Sequence, residues 1–224
     1  MRLWKNYGAI PFFVAAFCTA FVQMGLFIVF QRWLSFSFVG PSFFWRSMLL
    51  QFAIFVPCIF MMPATSYFTS RFRKGRVMAW SSVGMSASLI PIAVLFGLDI
   101  GWVAFGLVLL FGIFYSIFTT AKLAVIKEIF GEEHLATANA WQMVFSVLGI
   151  AGVSCLTVGA LPEVGPETAF VQEINLPGTI FNFSVLPYLF LGICVLSTVC
   201  CFFIRVGAHH SRSRFRSPKR IFSA

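Results

Sequence analysis

Charge is what this sequence has least of. Only 10% of its 224 residues are charged and only seven are acidic, against about 25% charged in an ordinary soluble domain. That shortage excludes a water-soluble globular enzyme. No Asp, Glu, Lys or His is expected in the middle of any long apolar run, so the carboxylate and histidine relays of many proton-coupled pumps are missing. The GxxxxGK[ST] phosphate loop and the HExxH zinc motif are absent, as is a GxSxG nucleophile elbow. Enzyme chemistry has no visible carrier, and neither a cofactor nor a metal is expected.

Cysteine is present but without a pattern. Cys18, Cys58, Cys155, Cys194, Cys200 and Cys201 fall within or at the ends of apolar runs, with no metal-ligand spacing and no histidine nearby. They read as small packing residues.

What the chain has instead is apolar length: 59% of it is apolar and 18% aromatic. A membrane crossing needs about 20 apolar residues, and the runs mark helices at Ile10–Phe30, Phe43–Met62, Val77–Phe96, Trp102–Phe118, Asn139–Leu161 and Val185–Ile204. Barrel strands are alternating segments of about 10 residues. These runs are continuous and twice as long, so helices are the spanning structure that remains. The fold class is an all-α membrane protein of six transmembrane helices. Arg2 and Lys5 ahead of the first run imitate a signal peptide, but the run exceeds the usual length of one, so it reads as a retained first crossing.

The net charge of +9 has a topological meaning. Arg2, Lys5, Arg71, Arg73, Lys74, Arg76, Lys122, Lys127, Arg205, Arg212, Arg214, Arg216, Lys219 and Arg220 fall on one side of the six spans. Arg32 and Arg46 fall on the other, with Asp99, Glu163, Glu167 and Glu173. The basic side is expected to be cytoplasmic, with both termini there. Residues 1–204 form the bundle and 205–224 a basic tail. A juxtamembrane basic cluster gains about 1 kcal/mol per charge from an anionic leaflet, so the tail reads as a lipid contact and not a nucleic-acid site.

Small residues mark packing faces, with Ser81, Gly84 and Ser88 on the third helix and Gly149 and Gly152 on the fifth. Polar residues inside spans mark candidate function. Thr19 and Gln23 lie four apart on the first helix, and Ser47 and Gln51 repeat that spacing on the second, so each pair shares a face. Two readings stand: the stripes line one substrate path, or they lock helices together by hydrogen bonds. Arg46, at the outer end of the second helix, reads as a topological anchor whose charge snorkels to the headgroups.

Two segments carry a resemblance. Ser66-Tyr67-Phe68-Thr69-Ser70-Arg71-Phe72-Arg73-Lys74-Gly75-Arg76-Val77 resembles the G-x-L-x-D-R-x-G-R-R/K signature that the major facilitator superfamily of transporters carries between helices two and three. Arg71, Lys74 and Arg76 fit its basic positions, while Ser66 and Ser70 replace its first glycine and its aspartate. Thr119 to Trp141 is similar to the S-P-A-K-Y-G-I-L-P-E-L-L-P-E-E-K-L-V-K-A-N-G-W stretch of bacterial lysophospholipid transporters. Ala121, Lys122, Glu128, Glu132, Glu133, Leu135, Ala138, Asn139 and Trp141 match in register. In the first helix Gln23 alone stands where that family carries an Asn-Asp-Asn run.

The resemblance implies a major-facilitator-like half bundle in a bacterial inner membrane, the N-terminal six of twelve helices, moving lysophospholipid. It implies a second six-helix half or a homodimer as partner, membrane lipid as surroundings, and an acyltransferase as a functional neighbour. Arg71, Lys74, Arg76, Lys122, Glu128 and Asn139 would then organise a cytoplasmic gate. With Ser70 in place of the aspartate, Glu128 is the expected counter-charge for Lys122, Arg71 and Arg76, and Asn139 is the expected N-cap of the fifth helix. The alternative is a non-transporting membrane protein, either a truncated half or an interaction module for a lipid-modifying enzyme.

Overall fold

The computed structural model describes residues 8–37, 41–98, 100–131, 133–160 and 185–204. They form six helices: α1 (Ala9–Ser37), α2 (Pro41–Arg71), α3 (Lys74–Gly97), α4 (Gly101–Phe130), α5 (Leu135–Ala160) and α6 (Leu186–Phe203). All six are long and apolar enough to cross a membrane, and the chain is an all-α membrane protein. The basic tail, Arg2 and Lys5, Asp99, Glu132 and the glutamates of the fifth connection lie outside the described residues.

Several helices are longer than their apolar runs. At 1.5 Å per residue α2 and α4 each reach about 45 Å, well beyond a hydrocarbon core of about 30 Å. The apolar run of α4 ends near Phe118, but the helix continues through Lys122, Lys127 and Glu128 to Phe130. Charge ends an apolar run without ending a helix, because Lys, Glu, Ala and Leu are all good helix formers. Gly131 then stops α4 with φ +72°, the left-handed conformation suited to glycine at a helix end. Likewise α2 runs on past Pro57 and Pro63 to Arg71. Prolines are tolerated inside membrane helices, where neighbouring helices and hydroxyl side chains can take up the freed backbone groups.

The packing has a definite plan. α1 lies against α5 and α6, α2 against α4, and α3 against α4 and α6, whereas α1 and α2, α2 and α3, and α4 and α5 scarcely touch. Exchanging α1 with α4, α2 with α5 and α3 with α6 leaves this set of partners unchanged. The two equivalent interfaces α1–α5 and α2–α4 each contain a close glycine approach, though not from equivalent helices: Gly149 on α5 brings its backbone against the Phe17 carbonyl of α1, and Gly112 on α4 brings its own against the Ala53 carbonyl of α2.

Aromatic side chains fill the core at both ends. At the end holding the start of α1 and the α2–α3 connection, the basic end, Phe13 stacks on Phe130 of α4 and Phe145 of α5 at 5.6 and 5.3 Å. At the opposite end Phe30 meets Phe96 of α3 edge-on at 5.2 Å. Between α3 and α6 runs a hydroxyl seam. Ser82 and Ser86 each share a hydrogen bond with Thr198, at 2.9 and 3.0 Å, and Ser86 donates to the Cys194 sulfur. Such cross-helix bonds hold helices together where lipid supplies no hydrophobic drive.

Candidate functional site

The two polar stripes do not meet. Thr19 is buried and donates its hydroxyl to the carbonyls of Ala15 and Ala16 on its own helix. Gln23 is half-buried and Gln51 exposed. Ser47 is buried with its hydroxyl unpaired among the described residues. Since α1 and α2 scarcely touch, the pairs are not opposite walls of one narrow channel. The i, i+4 spacing does place each pair on a shared helical side, but only packing decides what that side faces.

The charged residues gather at the basic end, in an arrangement that differs from the expected one. α2 and α3 are separated only by Phe72 and Arg73, with Arg73 extended at φ −61° and ψ 118°. This break sets Lys74 at the first position of α3, beside the last two turns of α4. Its ammonium lies 2.9 Å from Glu128 Oε1, with the two side chains 31% and 35% exposed. Glu128 therefore takes Lys74 as its partner, not Lys122, Arg71 or Arg76. The reason is topological: α3 and α4 are antiparallel neighbours, so the start of one meets the end of the other.

Lys122 does not follow the end of the fourth helix. It lies inside α4, only 7% exposed, so one span does carry a lysine, within its last three turns. Arg71, the last residue of α2, donates to the Tyr67 hydroxyl one turn earlier, its guanidinium lying over that ring. Arg76 is exposed. Asn139 is not the N-cap of α5: the helix begins at Leu135, its first turn is closed by the Ala138 N–H donating to the His134 carbonyl, and Asn139 is exposed on the second turn.

Arg71 and Arg76 instead line a cavity of about 580 Å³ with Arg73. The rest of the lining is almost wholly apolar, with Phe68 from α2, Val77 and Trp80 from α3, and Phe114 and Ile117 from α4. Arg73, Trp80 and Phe114 were not among the expected site residues. The signal that points to Trp80 is an aromatic residue one to two turns inside a helix flanking a basic break, and Arg73 belongs to that break, whereas Phe114 comes from the interior of α4 with no such signal.

Among the described residues no group of three or more His, Cys, Asp or Glu is placed to hold a metal ion. Cys18, Cys155, Cys194, Cys200 and Cys201 are free thiols. Compared with protein-family models, with curated proteins and with solved structures, the chain finds no match in any of the three.

Proposed function

We propose that the chain is a transport bundle of the major facilitator type, equivalent to the N-terminal half of such a transporter, and that it moves lysophospholipid across a bacterial inner membrane with a second six-helix bundle. The observation that carries this reading is the exchange pattern of the helices. Transporters of this type build each six-helix half from two inverted three-helix repeats. Such a repeat produces the partners seen here, α1 with α5 and α6 answering α4 with α2 and α3. The two helices related by the exchange that touch least of the bundle, α2 and α5, carry long exposed apolar faces from Trp45 to Phe60 and from Trp141 to Leu148. Those faces are available to lipid and to a second bundle, and Gln51 lies on the first of them.

The basic end is cytoplasmic in this reading, on the positive-inside rule. The Lys74–Glu128 pair then ties α3 to α4 within this one bundle at the cytoplasmic mouth, holding that end together as bundles rock against each other. The substrate site would lie between two bundles, so Thr19, Gln23, Ser47 and Gln51 need not face one another.

The test is reconstitution. Liposomes containing the purified chain should move a fluorescent lysophospholipid from one leaflet to the other, and crosslinking in native membranes should capture a homodimer or a second six-helix chain. No transport, together with stable copurification of an acyltransferase, would favour the interaction module. Full transport by a demonstrated monomer would overturn the two-bundle requirement.

A further inference from the structure

At the basic end α2 and α3 follow one another across two residues, yet each packs on α4 and scarcely on the other. The space between them is the cavity of about 580 Å³, to which α4 contributes Phe114 and Ile117. Its size is that of a small-molecule site, and its chemistry has two parts. Arg71 ends α2, Arg73 occupies the break and Arg76 lies in the first turn of α3, so three guanidinium groups that never lose their charge converge within six residues. Among the described residues no carboxylate belongs to the lining, and Glu128 is engaged by Lys74.

The second part is an aromatic wall open to the outside. Phe68 and Phe72 stack at 6.2 Å, and both, like Trp80, are largely exposed, Trp80 at 69%. In a bilayer such side chains sit at the headgroup level, where rings meet lipid. A free phosphate would satisfy the arginines and leave this wall empty. A zwitterionic lipid would cover the wall and leave the positive charge uncompensated.

We infer that this crevice binds one anionic phospholipid of the leaflet at the basic end, lodged between α2 and α3. Arginine is suited to the headgroup phosphate because its planar fork donates two parallel hydrogen bonds. The acyl chain follows Trp80 and Ile117 toward the bilayer interior. The lipid joins two helices that make little contact of their own, so it acts as a wedge that fixes the α2–α3 break. This inference rests on the membrane location of the chain and not on transport.

The experiment is a lipid titration of the purified full chain in detergent, read by thermal melting and by native mass spectrometry, with phosphatidylglycerol, phosphatidylcholine and inorganic phosphate as separate arms. Phosphatidylglycerol should be retained at one molecule per chain and raise the melting temperature, and the other two should not. Arg73→Gln alone should weaken retention about fivefold, and the R71Q/R73Q/R76Q variant roughly 100-fold, since each basic residue near an anionic headgroup contributes a similar increment. Arg73 lies between helices, so its variant leaves the fold intact even where the triple variant does not. Lys127→Gln, which removes a charge at the same end but outside the lining, should bind as the wild type does. Undiminished retention by Arg73→Gln, or equal stabilisation by phosphatidylcholine or by phosphate alone, would overturn the inference.

Discussion

Replacing Gly149 by alanine tests the tightest approach of a glycine to the backbone of another helix among the described residues. A Cβ at that position would lie 2.6 Å from the Phe17 carbonyl oxygen and 3.3 Å from the Phe21 nitrogen, both backbone atoms of α1 that no rotamer change can remove. Carbon and oxygen in a close Cα–H···O contact sit about 3.3 Å apart, so α1 and α5 must separate by about 0.7 Å. At Gly152, one turn later on the same helix, a Cβ meets only the Phe21 ring at 3.6 Å, ordinary contact distance. Both substitutions gain the same helix propensity. The difference between them is therefore the cost of overpacking, about 1–3 kcal/mol, or roughly 5- to 150-fold in the folding equilibrium. Unfolding in mixed micelles, followed by helical circular dichroism, measures both variants against the wild type. Gly149→Ala should shift the midpoint toward lower denaturant by that margin relative to Gly152→Ala. Coincident curves would refute the close α1–α5 approach.

Other outcomes follow from the same structure. Glu128→Gln removes a pair about one-third exposed, so expression and insertion should hardly change, and a double-mutant cycle with Lys74→Gln should give about 0.2–1 kcal/mol. In an active transport assay that variant should change rate or the access of cytoplasmic thiol reagents, and wild-type behaviour would reduce the pair to a solvated contact. Thr198→Val breaks both seam bonds to Ser82 and Ser86 while keeping the volume, and should cost about 0.6–1.7 kcal/mol in detergent melts. Reporter fusions after Arg76 and Gly131 should read cytoplasm and one at Pro166 the outer side, with a cytoplasmic signal at Pro166 refuting the six-span topology.

Number and type of helices were legible in the sequence because a span of about 20 apolar residues has few other solutions. Their ends were not, since hydropathy senses side chains whereas a helix is held by its backbone. The stretch from Lys122 to Phe130 is polar enough to leave an apolar run and still helical. Asn139 has the right chemistry for a cap, but Leu135, Ala136 and Ala138 ahead of it prefer the helix and start it a turn earlier. The glycines of α5 were readable as a packing face, though not that Gly149 meets a carbonyl and Gly152 a ring. Glu128 stood out as an acid among basic residues, but its choice of Lys74 depends on α3 and α4 being neighbours. The crevice between α2 and α3 was illegible for the same reason, because its lining comes from three helices.

The pairing plan also sets a timetable for synthesis. Every extensive interface joins one of the first three helices to one of the last three. The ribosome, at about 5–20 residues per second, therefore leaves α1 in lipid for roughly 10–30 s before α5 and α6 exist to receive it. During that wait an unpaired hydroxyl in hydrocarbon would be a standing cost. Thr19, Thr69, Ser81 and Ser88 avoid it by bonding to carbonyls one turn back on their own helices. These four hydroxyls do not wait for a partner helix, whereas those that bond across helices, Ser82 and Ser86 with Thr198, become paired only when the last span is in place.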